Sequence, residues 1–281
     1  MAEEVEQKGL AGKLEKKRKR QAQESTKQDN PDVASTATPT ASEPSNKKKR
    51  KKGKQNTNQA QQTADKQDRK DGIDESIGKM DGSLLADYFA QRAKKLDKEL
   101  SAVELSDLSV PGSSFLDSTS FAEPRTLDNL PQFLQKHRSK GTDLSKAPNQ
   151  KGTPHTLIIT GAGLRAADIV RSLRSFQNKE SIVGKLFAKH IKLDEAKQFL
   201  QRAQMGIGVG TPTRVSDLIV SGDLKLNELQ RIVIDGSHID QKQRGIFDMK
   251  DTHFPLLKLL TQPQLRERYD AGERKLQILV F

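Results

Sequence analysis

Asp235 ends the apolar run Arg231-Ile-Val-Ile, and Gly236, Ser237 and His238 follow it. A carboxylate at the end of a hydrophobic strand can orient a hydrated magnesium ion. A second carboxylate directly after it could activate the water that attacks a nucleoside triphosphate. Here that second place is Gly236, which has no side chain to act as a base. His238 is a possible general base, but one histidine on a turn is more often a hydrogen-bonded structural group. Asp235 and His238 together are too few ligands for zinc, and His155, His190 and His253 are scattered along the chain. The residues favour neither a metal nor a cofactor.

A second group with chemical reach is Thr211-Pro-Thr-Arg214, after the glycine-rich run MGIGVG. A helix starting here offers free N–H groups and a partial positive charge to a phosphate. Thr211 would cap it, Pro212 would open its first turn, and Arg214 would add a fork-shaped donor. An ordinary capped helix explains the same residues equally well.

These groups need a scaffold that sets them side by side, and the pattern of residues 155–281 supplies one. Strands are expected at 155–160, 184–192, 205–210, 231–235 and 276–281. Helices are expected at 164–176, 193–203, 212–222 and 253–269, the last interrupted near Pro263. Alternation of this kind means an α/β fold with a single parallel sheet and flanking helices. In such sheets ligands bind beyond the carboxyl ends of the strands. GAG (161–163), TPTR (211–214) and DGSH (235–238) all fall there.

Upstream, a helix is expected over 83–104, with Leu85, Tyr88, Phe89, Leu96, Leu100 and Val103 at helical spacing. Residues 106–154 read as irregular, with a short helix within 127–137. Residues 1–78 read as a disordered basic tail: they are polar and low in complexity, and no aromatic residue precedes Tyr88. The expected division is therefore a tail to 78, a packing segment over 79–150 and the α/β domain over 151–281.

Among 281 residues, hydrophobic types make up 33% and the net charge is +12. That charge favours a polyanionic partner, most often nucleic acid. The tail carries two basic clusters: Lys16, Lys17, Arg18, Lys19 and Arg20, then Lys47, Lys48, Lys49, Arg50, Lys51 and Lys52. Such blocks suit a nuclear import receptor and also bind phosphates without base preference. There is no cysteine, which excludes disulfides and thiolate chemistry. No apolar run is long enough to span a bilayer and no signal-peptide core opens the chain, so a soluble intracellular protein without a membrane partner is expected.

HTLIITGAGLRAADIV, GVGTPTRVSDLI and RIVIDGSHID resemble three segments of the first RecA-like domain of DEAD-box RNA helicases, and the spacing from TPTR to DGSH also fits that family. In the first segment only Ala166 matches, and Arg165 stands in a motif place. Thr211, Pro212 and Arg214 match the family's RNA-backbone segment, with Thr213 where a glycine is usual. Only Asp235 matches in the third. The resemblance implies RNA or phosphate contact through Arg165, Thr211, Thr213 and Arg214, and makes Asp235, Gly236, Ser237 and His238 a degenerate magnesium motif. The departures are large. No G-x-x-x-x-G-K-[ST] loop occurs, the water-activating Glu is missing, and no second RecA-like domain is expected after Phe281. Phosphoryl transfer depends on such positioning groups, so hydrolysis and a small-molecule substrate are not expected.

A more specific resemblance covers residues 80–281. LADYFAQRAKKLDKELSAVELSDLSVPGSSFLD (85–117), EPRTLDNLPQFLQKH (123–137) and GAGLRAADIVRSLR (161–174) look like the Cms-one family, degenerate one-domain relatives of these helicases. That resemblance implies a nuclear, largely nucleolar, non-catalytic factor of the small-subunit processome, with pre-ribosomal RNA and processome proteins as partners. Two alternatives stay open at this point: a nuclear adaptor in DNA replication or cell-cycle control, and a divergent RNA-dependent ATPase.

Overall fold

A computed structural model describes residues 68–188 and 191–281. The basic clusters at 16–20 and 47–52, and His190, lie outside the described residues. The centre is a five-stranded, wholly parallel sheet in the order β4-β5-β3-β6-β7. Its strands are β3 (Thr156–Ile159), β4 (Ile182–Leu186), β5 (Met205–Gly210), β6 (Arg231–Ile234) and β7 (Gln277–Val280). Every residue of β3, β5 and β6 is buried, as expected where helices cover both faces.

Side chains alternate between two apolar layers. Leu157, Ile159, Ile232, Ile234 and Ile278 face α1 (Gly82–Leu96), α5 (Leu193–Arg202), α6 (Pro212–Val220) and α7 (Lys250–Leu260). Ile158, Val209, Val233 and Leu279 face α3 (Leu130–Lys136) and α4 (Gly163–Ser172). The chain leaves β3 for β4 and β5 on one side, then crosses to β6 and β7 on the other. The topological switch point is therefore the carboxyl end of β3.

The strands fall close to their expected places, with β4 shorter and earlier than 184–192. The helix expected over 83–104 is two helices. α1 opens on Asp81, whose carboxylate accepts from the Leu84 N–H at 2.9 Å, and closes at Leu96. A new start follows because Ser101 and Glu104 form a reciprocal capping box at the head of α2 (Ala102–Asp107). Asp97, in the gap, is held by Lys250 at 2.7 Å. Helix α4 ends at Ser172 in a 3-10 turn over Arg174–Phe176. The interruption near Pro263 is present: α7 stops at Leu260 and α8 (Pro263–Arg266) restarts on that proline. Pro255 stays inside α7, where it forfeits a hydrogen bond to the Asp251 carbonyl.

The tail boundary at 78 is corrected. Residues 69–79 form a hairpin of β1 (Arg69–Lys70) and β2 (Ile73–Asp74), followed by a 3-10 turn. Asp71 and Gly72 both have positive φ, 51° and 80°, the two-residue turn that suits strand twist. The hairpin is fastened to the domain by backbone bonds, Asp74 N–H to Ser237 O at 2.7 Å and Ile239 N–H to Gly72 O at 2.9 Å. Ile77 is 1% exposed. Low complexity hid it, because one turn and one buried isoleucine suffice when the partners are far away in sequence.

The two sheet edges differ. Beyond β7, Phe115 makes a parallel bridge to Ile278, and the Leu116 N–H bonds Ile278 O at 2.7 Å. Beyond β4 no strand or bridge pairs among the described residues.

Candidate functional site

Register puts Ile159, Gly210 and Ile234 on one rung of the sheet. The loops GAG, TPTR and DGSH therefore leave from the same level, around the switch point. The Thr160 N–H bonds Gly210 O at 3.0 Å and the Asp235 N–H bonds Ile159 O at 2.9 Å, so the first residues of these loops are tied to neighbouring strands.

At the centre lies the Asp235 side chain, 2% exposed. It accepts three side-chain hydrogen bonds. Thr160 Oγ1 donates to Oδ2 at 2.7 Å, and Arg165 donates through Nε to Oδ2 and through Nη2 to Oδ1, both at 3.0 Å. The Arg165 side chain is itself 12% exposed. This is the two-pronged guanidinium–carboxylate pairing in a water-poor place. Both carboxylate oxygens are occupied by the protein's own cation, where a magnesium-dependent site would leave them to the ion's water shell. Among the described residues no group of three or more His, Asp or Glu is arranged to hold a metal ion.

Gly236 has a steric reason. A Cβ there would stand 2.5 Å from Val280 Cγ1 and 2.8 Å from Phe247 Cε2, both in the buried core. Its N–H and that of Ser237 both bond Phe281 O at 2.8 Å. The place of a water-activating carboxylate is thus filled by core packing. His238 is half-buried, and burial holds its imidazole below the ordinary histidine range against the pull of Asp235. The hairpin β1–β2 closes over this loop, with Ile73 bridged to His238. Arg69 anchors the hairpin: Nε meets Asp74 at 2.8 Å and Nη2 meets Asp248 at 3.1 Å, while Arg92 reaches the same Asp248 at 3.2 Å.

The TPTR segment opens α6. Thr211 takes the capping position with extended backbone but makes no side-chain cap bond, unlike the expectation, and Pro212 occupies the first turn. Thr213 is exposed and Thr211 half-buried. Arg214 is 9% exposed, and its Nη1 donates to Ile191 O at 3.0 Å, toward the β4 side. The two arginines singled out in the sequence thus turn inward and apart, Arg165 to Asp235 and Arg214 to the segment before α5.

Sequence reasoning passed over three participants. Thr160 follows β3 directly and was legible only as a strand end. The Arg69–Asp74–Asp248–Arg92 chain of charges spans too much sequence to be seen. The third, Arg125, lies in the EPRT stretch, is 6% exposed and has no carboxylate partner among the described residues. Its guanidinium donates to Val280 O and, through Nη2, to Ser118 O at 3.2 Å and Ser118 Oγ at 3.1 Å. Burial pulls its pKa down to about 10. It fills the carboxyl end of β7 with protein donors and acceptors.

The family model that matches residues 2–281 is described as "CMS1: U3-containing 90S pre-ribosomal complex subunit". This chain belongs to the CMS1 family. Its similarity to Protein CMS1 of Chaetomium thermophilum is 50% identity over 210 residues, covering 75% of this chain and 84% of that one. Protein cms1 of Schizosaccharomyces pombe is 31% identical over 70% of this chain and 69% of its own length. Among animal CMS1-family proteins, human CMSS1 is 30% identical over 68% of this chain and 62% of its own length.

Proposed function

We propose that this chain works in ribosome biogenesis as a non-catalytic factor of the small-subunit processome, docking pre-ribosomal RNA, processome proteins or both through its RecA-like domain. The family description supports the assignment to the early pre-ribosome. The observation that carries the non-catalytic part is the capture of Asp235 by Arg165 and Thr160. A carboxylate so held is a structural tie, and Gly236 leaves no room for the group that would activate water.

RNA contact is proposed at the carboxyl-end face. Thr213, Thr211 and the first N–H groups of α6 present hydrogen-bond partners to a phosphate. Arg165 and Arg214 hold the loops that frame them. The basic clusters Lys16–Arg20 and Lys47–Lys52 supply diffuse phosphate attraction and engagement of a nuclear import receptor, with residence in the nucleus and nucleolus.

Two measurements test the reading. Ultraviolet crosslinking of the tagged protein in cells, followed by sequencing of attached RNA, gives compact peaks on pre-ribosomal RNA that fade in Thr213→Glu. Purified protein shows no RNA-stimulated ATP hydrolysis. A hydrolysis rate abolished by Asp235→Ala overturns the non-catalytic reading, and absence of pre-ribosomal RNA above background overturns the RNA half.

A further inference from the structure

The open edge of the sheet is also the wall of a groove of about 740 Å³. Strand β4 lies along it, with α4 on one side and α5 on the other. Its floor is apolar: Val170, Ile182, Val183, Phe187 and Phe199. Its rim is cationic: Arg171, Arg174 and Lys185 line it, and among the described residues no carboxylate does. Arg171 pairs with the exposed Asp168 at 2.7 Å. Arg174 and Lys185 are exposed, and neither enters any of the ion pairs or side-chain hydrogen bonds of the described residues.

Two features of β4 ward off a like strand. Its register shifts between Ile182 and Val183, and Lys185 stands exposed on the edge; bulges and edge lysines both discourage pairing with another copy. Two such edges brought together would also oppose their cationic rims. The basic segments at 16–20 and 47–52 are excluded by the same charge. An acidic strand meets no charge barrier, because each carboxylate placed beside Lys185 or Arg174 turns the guard into a partner, and the register shift touches only the first residue of β4. RNA fits less well, since the floor is largely aliphatic side chain and the wall is an unpaired strand.

We infer that the β4 edge, with the groove between α4 and α5, is a docking site for an extended, acidic and apolar segment of a partner protein. The segment adds to the sheet as a sixth strand, buries alternate apolar side chains on the floor and sets its carboxylates against Arg174 and Lys185. This deepens the proposed function and rests on its protein-docking half. The assay below uses purified components, so its failure is separate from failure of the crosslinking.

The probe is a fluorescein-labelled peptide of about six residues, a typical strand length, alternating Val or Ile with Glu. Full-length protein binds it by fluorescence anisotropy, and the version with Lys in place of Glu is not bound. The double variant Arg174→Glu/Lys185→Glu, which changes exposed side chains, weakens binding at least about tenfold and reverses the preference toward the Lys peptide. Alternate N-methylation of the peptide backbone abolishes binding in one register and spares it in the other, as strand addition demands. That readout needs no protein variant. Failure to bind the Glu peptide, indifference to charge reversal, equal tolerance of both N-methylated registers, or an oligouridylate that binds in the groove in its place each overturns the inference.

Discussion

Replacing Arg165 by Ala removes two of the three side-chain hydrogen bonds that Asp235 accepts among the described residues, together with the cation paired to it. A carboxylate 2% exposed is then left with Thr160 alone. Breaking a buried ion pair from one side typically costs about 3–5 kcal/mol, a large share of the roughly 5–15 kcal/mol that holds a domain together. At about 2–4 °C per kcal/mol for a chain of this size, the melting temperature falls by roughly 10 °C. Arg165→Met combined with Asp235→Leu removes both charges, and most of the loss returns, because no unpaired charge stays inside. The assay is urea unfolding followed by far-ultraviolet circular dichroism. If Asp235 were instead a solvated ion-binding carboxylate, Arg165→Ala would cost under about 1 kcal/mol, as for a surface pair. That result, or a double variant no more stable than the single one, refutes the description of Asp235 as an internal tie.

Two further outcomes follow from the same geometry. Gly236→Ala, the smallest step toward the missing carboxylate, drives a methyl against Val280 and Phe247 and costs about 1–3 kcal/mol of overpacking; Gly236→Glu costs more and creates no ATP hydrolysis, read by unfolding midpoint and phosphate release. His155 and His253 are 3% and 0% exposed, and burial pushes each from the ordinary range down to about 4. Their folded pKa values lie below the unfolded ones, so the unfolded chain binds more protons. Stability is therefore full above about pH 6.5 and falls as pH drops toward 4, by up to about 3 kcal/mol per histidine. His253→Gln flattens that slope, and a slope unchanged by it contradicts the assignment.

The sheet was legible because its strands are short, largely apolar runs, with Thr160 closing β3, Gly210 closing β5 and Asp235 closing β6, and helices alternate with them. β5 and α6 fall where MGIGVG and Pro212 put them, since a glycine run and a first-turn proline are local signals. The split of α1 from α2 was less visible: the apolar stripe runs on through Leu100 and Val103, and only the Ser101–Glu104 box marks the new start. The hairpin at 69–74 was not read at all. Its Asp71-Gly72 turn is a local cue, but its stability comes from Ser237, His238 and Asp248, which no window near residue 70 contains. Asp235 was found as a motif end; its partner Arg165 was noticed for a different role, because sequence gives a side chain's position and not its direction.

Much of the segment before β3 finds its place only on strands made long afterwards. Ser118 and Arg125 bond Val280 across 162 and 155 residues, Leu116 pairs with Ile278, and Arg69 grips Asp248. During synthesis this segment leaves the ribosome with Phe115, Phe121 and Phe133 still lacking the surface that buries them. Closure of so many distant contacts is slow, and apolar groups exposed in the interval invite aggregation. Docking of these earlier segments onto β6 and β7 can therefore come only after residues 231–281 have been made.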